Sequence, residues 1–281
     1  MKKVLMAMLA CLLGLGMGAW ADARAADGDA VRVTGAGSMF GRVHTLSRMF
    51  MKESPGIRVE VSKEANVDAG IAALLEGRTD AAMASRRLTD EEKEAAKEKK
   101  VELAERLIGH GGIVIVAHPS NPLNDLAVEE VRKIFKGEYT RWSQVGGADE
   151  PIVVFRTGST YPGTSFFMEN DFLGGPFSDD ATVVEEFSGV MRKVASTPGS
   201  LGYTRIRDAF ESPAANEVWV KVLHVARIRG GAAVAPSRAT VKDGSYPVLR
   251  PYYLYLRGDA GKEAVEFTDF IMRKGWGQQG L

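Results

Sequence analysis

The sequence predicts an α/β fold with mostly parallel strands. Short β-branched and apolar runs alternate with helical patterns from residue 31 onward, which is the order of strand–helix–strand units. Two of the runs end in glycine-rich turns that lead into amphipathic sequence, at 31–43 and at 155–167. No internal repeat and no low-complexity segment interrupts the alternation.

The predicted strands are 31–34, 57–62, 80–84, 112–117, 152–156, 201–204, 218–225 and 252–257. Between them, Val43, Leu46, Met49 and Phe50 recur at helical spacing and form one apolar face. Val128, Val131, Ile134 and Phe135 form a second, and Val183, Val184, Phe187, Val190, Met191 and Val194 a third. Thr89 and Glu92 stand at the spacing of a capping box that opens a helix through Lys100. The run EEKEAAKEKK that follows Asp90 is read as the solvated face of that helix.

The first 25 residues stand apart from the fold. Lys2 and Lys3 precede an apolar run from Val4 to Trp20, and Ala23-Arg24-Ala25 forms a small-residue cleavage site, so residues 1–25 read as a secretory signal peptide. Cys11, the only cysteine, lies inside it, in a poor context for lipid attachment, and the exported chain is expected to use no disulfide. Of 281 residues, 45% are hydrophobic, enough for a sizeable core without covalent staples. Loss of Lys2, Lys3, Arg24 and Asp22 turns 36 basic and 36 acidic residues into 33 and 35. That balance lacks the basic excess of a nucleic-acid binder. His44, His110, His118 and His224 are scattered without ligand spacing, which argues against a metal site, and no serine sits in G-x-S-x-G.

The first glycine turn, GAGSMF, does not carry a dinucleotide signature. Gly35, Gly37 and Gly41 are spaced one residue too long for G-x-G-x-x-G, and the Lys-Ser/Thr ending of a P-loop is missing. What remains is a helix start with unpaired N–H groups, which suits any anion, or a plain tight turn. The second turn, FRTGSTYPGTSFF, repeats the arrangement and adds Arg156, whose planar fork pairs with tetrahedral oxyanions.

These segments resemble a known family, the phosphate-binding, PstS-like periplasmic proteins of ABC importers. GAGSMF (35–40) is similar to its first anion loop, and GIAALLEGRTDAAMASR (70–86) to the segment that follows. GGIVIVAHPSNPLNDLAVEEVRKIFKGEYTRWSQVGG (111–147) carries the H-P-x-N-P and W-x-x-V-G-G elements in order. TPGSLGY (197–203) and APSRATVKDGSYPVLRPYYLY (235–255) complete the likeness, which runs through nearly all of the chain after the signal segment.

The resemblance implies a two-lobe periplasmic binding protein fold of type II, with the ligand clamped between the lobes. One lobe is expected to hold 26–114 and 222–281 and the other 115–221. It implies an anion site built from Ser38, Met39 and Phe40 (the last two through backbone N–H groups), Asp68, Ser85, Arg156, Ser159, Gly163 and Thr164, with Arg156 as the main charge partner. It implies no catalysis and no cofactor. The partners would be inorganic phosphate or a similar oxyanion and the permease subunits of an importer, with the protein a monomer in the periplasm.

The chain departs from the family pattern in four places. Met39 stands where many members have threonine, and Asp68 lies in a loop where donors are expected. Ser85 stands where some have aspartate, and Pro162 replaces a serine in a lengthened second anion loop. The alternative reading is a binding module of the same shape with a different ligand or with a role in signalling, adhesion or assembly. A secreted hydrolase is disfavoured because no nucleophile–base pair appears in the sequence.

Overall fold

The computed structural model describes residues 30–62, 66–158, 160–212, 215 and 217–276. The expected signal segment with Cys11, and Ser159, lie outside the described residues.

Strand β1 (Ala30–Gly35) buries Val31 and Val33 and turns Arg32 outward to Asp80. It pairs in parallel with β2 (Arg58–Val61) and β3 (Ala81–Ala84). Helix α1 (Gly37–Glu53) crosses between β1 and β2, burying Met39, Val43, Leu46 and Phe50. Helix α2 (Val67–Leu75) links β2 to β3. Gly35 has a φ of 125°, and a Cβ there would strike the Met83 backbone; a Cβ on Gly70 would lie 2.6 Å from the Gly35 Cα. The first glycine turn is therefore required by close backbone packing. Helix α3 (Asp90–Glu98) starts with the expected capping box and presents its charges to solvent, burying only Ala96.

Beyond α3 the sheet changes character. Strand β4 (Leu103–Ala117) is far longer than the predicted 112–117, because Glu105, Arg106 and Gly109 break up its first half and leave no apolar run. It pairs antiparallel with β12 (Leu249–Arg257) along 103–112 and with β8 (Ser200–Arg205) along 113–117. Strands β5 (Asp125–Ala127), β6 (Val153–Thr157) and β7 (Thr182–Val184) follow, with helix α4 (Val128–Phe135) after β5. The sheet runs β2-β1-β3-β12-β4-β8-β6-β7. Its two ends are parallel, as expected; the middle, where β12 and β4 pass between them, is antiparallel.

Two elements differ from the sequence reading. Val183 and Val184 belong to β7, paired with Arg156 and Thr157, and the helix they were expected to begin, α5 (Phe187–Ser196), starts later and buries Phe187, Val190, Met191 and Val194. The β-branched pair suits a strand edge better than a helix start. The predicted strand 218–225 is two short strands, β9 (Lys221–Val222) on β4 and β10 (His224–Ala226) on β5. Strand β11 (Ala233–Val234) completes the small sheet β11-β10-β5.

Two of the three apolar cores among the described residues face one another across the crossing strands, and a third, Val114, Val116, Phe155, Val190 and Val194, lies with the second. The first gathers Val33, Leu46, Ile71, Met83, Leu254 and Phe267, the last from the C-terminal helix Lys262–Lys274. The second gathers Ile115, Val131, Phe135, Met168, Tyr203 and Tyr246. The chain passes from the first to the second between Ile108 and Ile113 of β4. The return expected near Val222 comes later, because Leu223, Val225, Val241, Tyr246 and Val248 all pack in the second core. The crossing back is made by β12, where Leu249 faces Gly112 and Tyr252 faces Gly109. A strand that looked like the returning hinge is thus an internal strand of the second half.

Candidate functional site

Between the two cores lies a cleft of about 1430 Å³. Its first wall is made by Gly37 and Ser38 at the start of α1, Asn66 to Asp68 at the start of α2, and Ser85 and Arg86 after β3. Its second wall is made by Thr160 to Thr164, Phe166 and the region from Arg205 to Asp208. The floor is the crossing itself, Ile108 to Gly112 and Arg250.

The start of α1 has no side-chain cap and no acidic residue in its first turn. Ser38 is exposed there and faces the cleft. Met39 and Phe40 do not join it. Met39 is fully buried in the first core, and its N–H donates to the Ala36 carbonyl at 2.9 Å. Phe40 stacks on His44 with ring centroids 5.5 Å apart. For the side chains, helical geometry explains this: of three consecutive residues, only one points into the cleft.

Asp68 lies in the first turn of α2, capped by the Asn66 side chain, which accepts from the Ala69 N–H. Its carboxylate is largely exposed, yet it reaches Arg86 Nη2 at 2.5 Å. The Arg86 side chain is almost wholly buried and also makes a two-point pair with Glu92, at 2.7 and 2.8 Å. Its ordinary pKa is raised further by these hydrogen bonds, against the opposing pull of burial, so it remains a cation. Its guanidinium sits 4.9 Å from the Phe166 ring of the opposite wall. With two carboxylates on it, Arg86 is a neutralised, structural charge.

Arg156 was the expected charge partner, and the structure places it elsewhere. Its register on β6 turns the side chain away from the cleft, so that its guanidinium lies 5.0 Å over the Phe177 ring, and Nη1 reaches the Thr157 carbonyl at 3.5 Å. Arg156 is not among the residues lining the cleft. Of the other residues expected from the second loop, Gly163 and Thr164 do line it. Pro162 opens a short helix, Pro162–Phe166, in which Thr164 is buried.

The cation that takes the central position is Arg250, which the sequence reading missed. It is 2% exposed and projects from β12 between the two walls. Nη1 donates to Thr164 Oγ1 at 2.7 Å, Nη2 donates to Ser85 Oγ, and Nε donates to the Ser85 carbonyl at 3.3 Å. Burial pulls its pKa below the ordinary arginine value. No carboxylate pairs with it among the described residues, in contrast to Arg86, Arg205 and Arg238, which pair with Asp68 and Glu92, Asp208 and Glu211. A buried cation held only by neutral groups calls for an anion. The sequence signal for it was a lone charge inside the apolar run LRPYYLYL.

Gly163 lets the walls meet at this point. A Cβ on it would lie 2.6 Å from Arg250 Nη2 and 2.7 Å from Ser85 Oγ. Among the described residues no group of three or more His, Cys, Asp or Glu side chains is placed to hold a metal ion.

Comparison with known proteins bears on this arrangement. The chain is 26% identical over 236 residues to the phosphate-binding protein PstS of Staphylococcus haemolyticus, covering 82% of this chain and 71% of that protein. Among solved structures it resembles an ABC-type phosphate transport receptor from Vibrio cholerae, with a TM-score of 0.67, 23% identity, and coverage of 86% of this chain and 93% of the other. It also resembles a phosphate ABC transporter substrate-binding protein from Clostridium perfringens with bound phosphate, with a TM-score of 0.59, 24% identity, and coverage of 86% and 93%. Residues 21–274 match the family described as the PBP superfamily domain. With two α/β cores flanking a cleft, and that match over most of its length, the chain belongs to the PBP superfamily domain family.

Proposed function

We propose that this protein is a periplasmic solute-binding protein that captures phosphate or a related tetrahedral oxyanion and delivers it to the permease of an ABC importer. The observation that carries the reading is Arg250, a buried arginine without a carboxylate partner, held between Ser85 and Thr164 at the floor of the cleft. The names of the relatives, phosphate-binding proteins and phosphate transport receptors, point to the same ligand class. Ser38, Ser85, Gly163 and Thr164 supply the remaining contacts of the site, with Asp68 at its rim.

The lobes in this reading are 30–112 with 250–276, and 113–249, joined where β4 and β12 cross. The cleft is far larger than a tetrahedral anion, which displaces only a few water volumes of about 30 Å³ each. Capture therefore requires the lobes to close about the crossing strands. The protein acts as an exported monomer, released by cleavage after residue 25, and the closed form is what the permease recognises.

Titration calorimetry on protein stripped of bound anions tests the reading. Phosphate, arsenate, sulfate and molybdate are titrated in turn, and saturable binding of one phosphate per chain is expected. Absence of binding by every oxyanion would overturn it and leave a binding module with another ligand.

A further inference from the structure

We propose that Arg250 locks the Ser85 and Thr164 hydroxyls as donors, so that the cleft takes dianionic oxyanions and rejects monoanionic phosphate. The inference rests on the oxyanion reading above and concerns the protonation state that the site accepts.

A guanidinium has five N–H donors and no acceptor. Ser85 Oγ and Thr164 Oγ1 each accept from it, so neither hydroxyl can turn its proton toward Arg250. Neither hydroxyl donates to any acceptor among the described residues, although both are almost fully buried and line the cleft. Their two protons are thus left to point into the cleft. Arg250 Nη1 and Nη2 each retain a second N–H as well. The floor of the site is in this way a set of donors contributed by both walls and by the crossing strand between them.

An oxygen that is itself protonated meets this floor donor to donor. Burying a donor without an acceptor forfeits its hydration and is costly. Sulfate presents no proton. Dianionic phosphate presents one, which can face the rim, where the exposed Asp68 carboxylate stands. Monoanionic phosphate presents two, and one of them must face the donors.

The charged and titratable groups around this floor do not supply the missing acceptor. Asp171 and Arg205 make no hydrogen bond to Arg250, whose guanidinium lies 5.7 Å from the Tyr252 ring, and the cleft-lining Asp208 and Glu211 carboxylates are paired with Arg205 and Arg238. The Glu92 carboxylate is occupied by Arg86 and the Thr89 N–H. His110 on β4 faces Pro251 on β12, and burial keeps its pKa below the ordinary histidine value.

The test is calorimetric binding of phosphate and of sulfate from about pH 5 to about pH 9, on either side of a second phosphate ionisation. Sulfate is dianionic throughout and reports any titration of the protein itself. Phosphate affinity is expected to fall about tenfold per pH unit below its second ionisation while sulfate affinity stays level. Above it, the two anions should bind within about tenfold of one another, the size of one hydrogen bond.

A level phosphate profile, or rejection of sulfate by a protein that binds phosphate, would overturn the inference and leave the oxyanion reading standing. Binding of neither anion would overturn that reading itself. Ser85→Ala and Thr164→Ala, checked for folding by thermal melting, should each weaken both dianions by the same factor, about tenfold. A variant that weakened phosphate alone would show its hydroxyl accepting the phosphate proton, and the inference would fall.

Discussion

Arg250 and Thr164, 86 residues apart in sequence, are joined across the cleft by a hydrogen bond of 2.7 Å from Nη1 to Oγ1. The same guanidinium donates to Ser85 on the opposite wall. One side chain on a crossing strand thus touches both halves of the molecule at the point where a ligand would be held.

Arg250→Gln should weaken oxyanion binding by about 2–5 kcal/mol, because it removes the desolvated charge at the centre of the site. Arg156→Ala should leave affinity unchanged and reduce stability by about 1 kcal/mol or less through loss of its packing on Phe177. Calorimetry and thermal melting on both variants check the assignment. A large affinity loss in the Arg156 variant alone would reverse it.

Gly163→Ala places a methyl group against Arg250 Nη2 and Ser85 Oγ, at 2.6 and 2.7 Å before relaxation. Relieving that overlap should cost about 1–3 kcal/mol and push the walls apart. A lower Tm together with weaker anion binding is the expected result. An alanine variant with unaltered affinity would show that the contact is not needed in the bound state.

The two carboxylates on Arg86 should differ sharply. Glu92→Gln keeps a side chain able to cap α3 but strips the buried partner of its charge, and it should destabilise the fold by about 1–3 kcal/mol. Asp68→Asn acts on a side chain that is 78% exposed, so its stability cost should stay below about 1 kcal/mol. Removing that negative charge from the rim should favour sulfate over phosphate, whose remaining proton loses the acceptor it faces. Denaturant unfolding and calorimetry separate the two effects.

His110 should titrate below its ordinary value of about 6.5, since burial disfavours the imidazolium. As pH falls, the unfolded chain takes up this proton before the folded one does. The His110 contribution therefore lowers stability progressively as pH drops below about 6.5. An NMR titration gives the midpoint, and His110→Gln should flatten that part of the stability profile.

The sequence by itself determined the alternation of strands and helices, the capping box at Thr89 and Glu92, and the apolar faces of α1 and α4, because each depends on spacing within one short segment. It also carried Ser38, Ser85, Gly163 and Thr164 to the cleft, through the likeness of their local motifs. Only the tertiary structure decided the rest. The first half of β4 has no apolar run, and it forms a strand because β12 pairs with it along its length. Residues 222–248 pack in the second core because β9 and β10 find partners on β4 and β5, a choice that no local pattern encodes. The exchange of Arg156 for Arg250 has the same origin. Which face of a strand meets a cleft depends on register against distant strands, and a shift of one residue inverts it. An arginine beside a glycine turn looked like a ligand, while the one buried across the crossing stands in the otherwise apolar run LRPYYLYL and drew no reading.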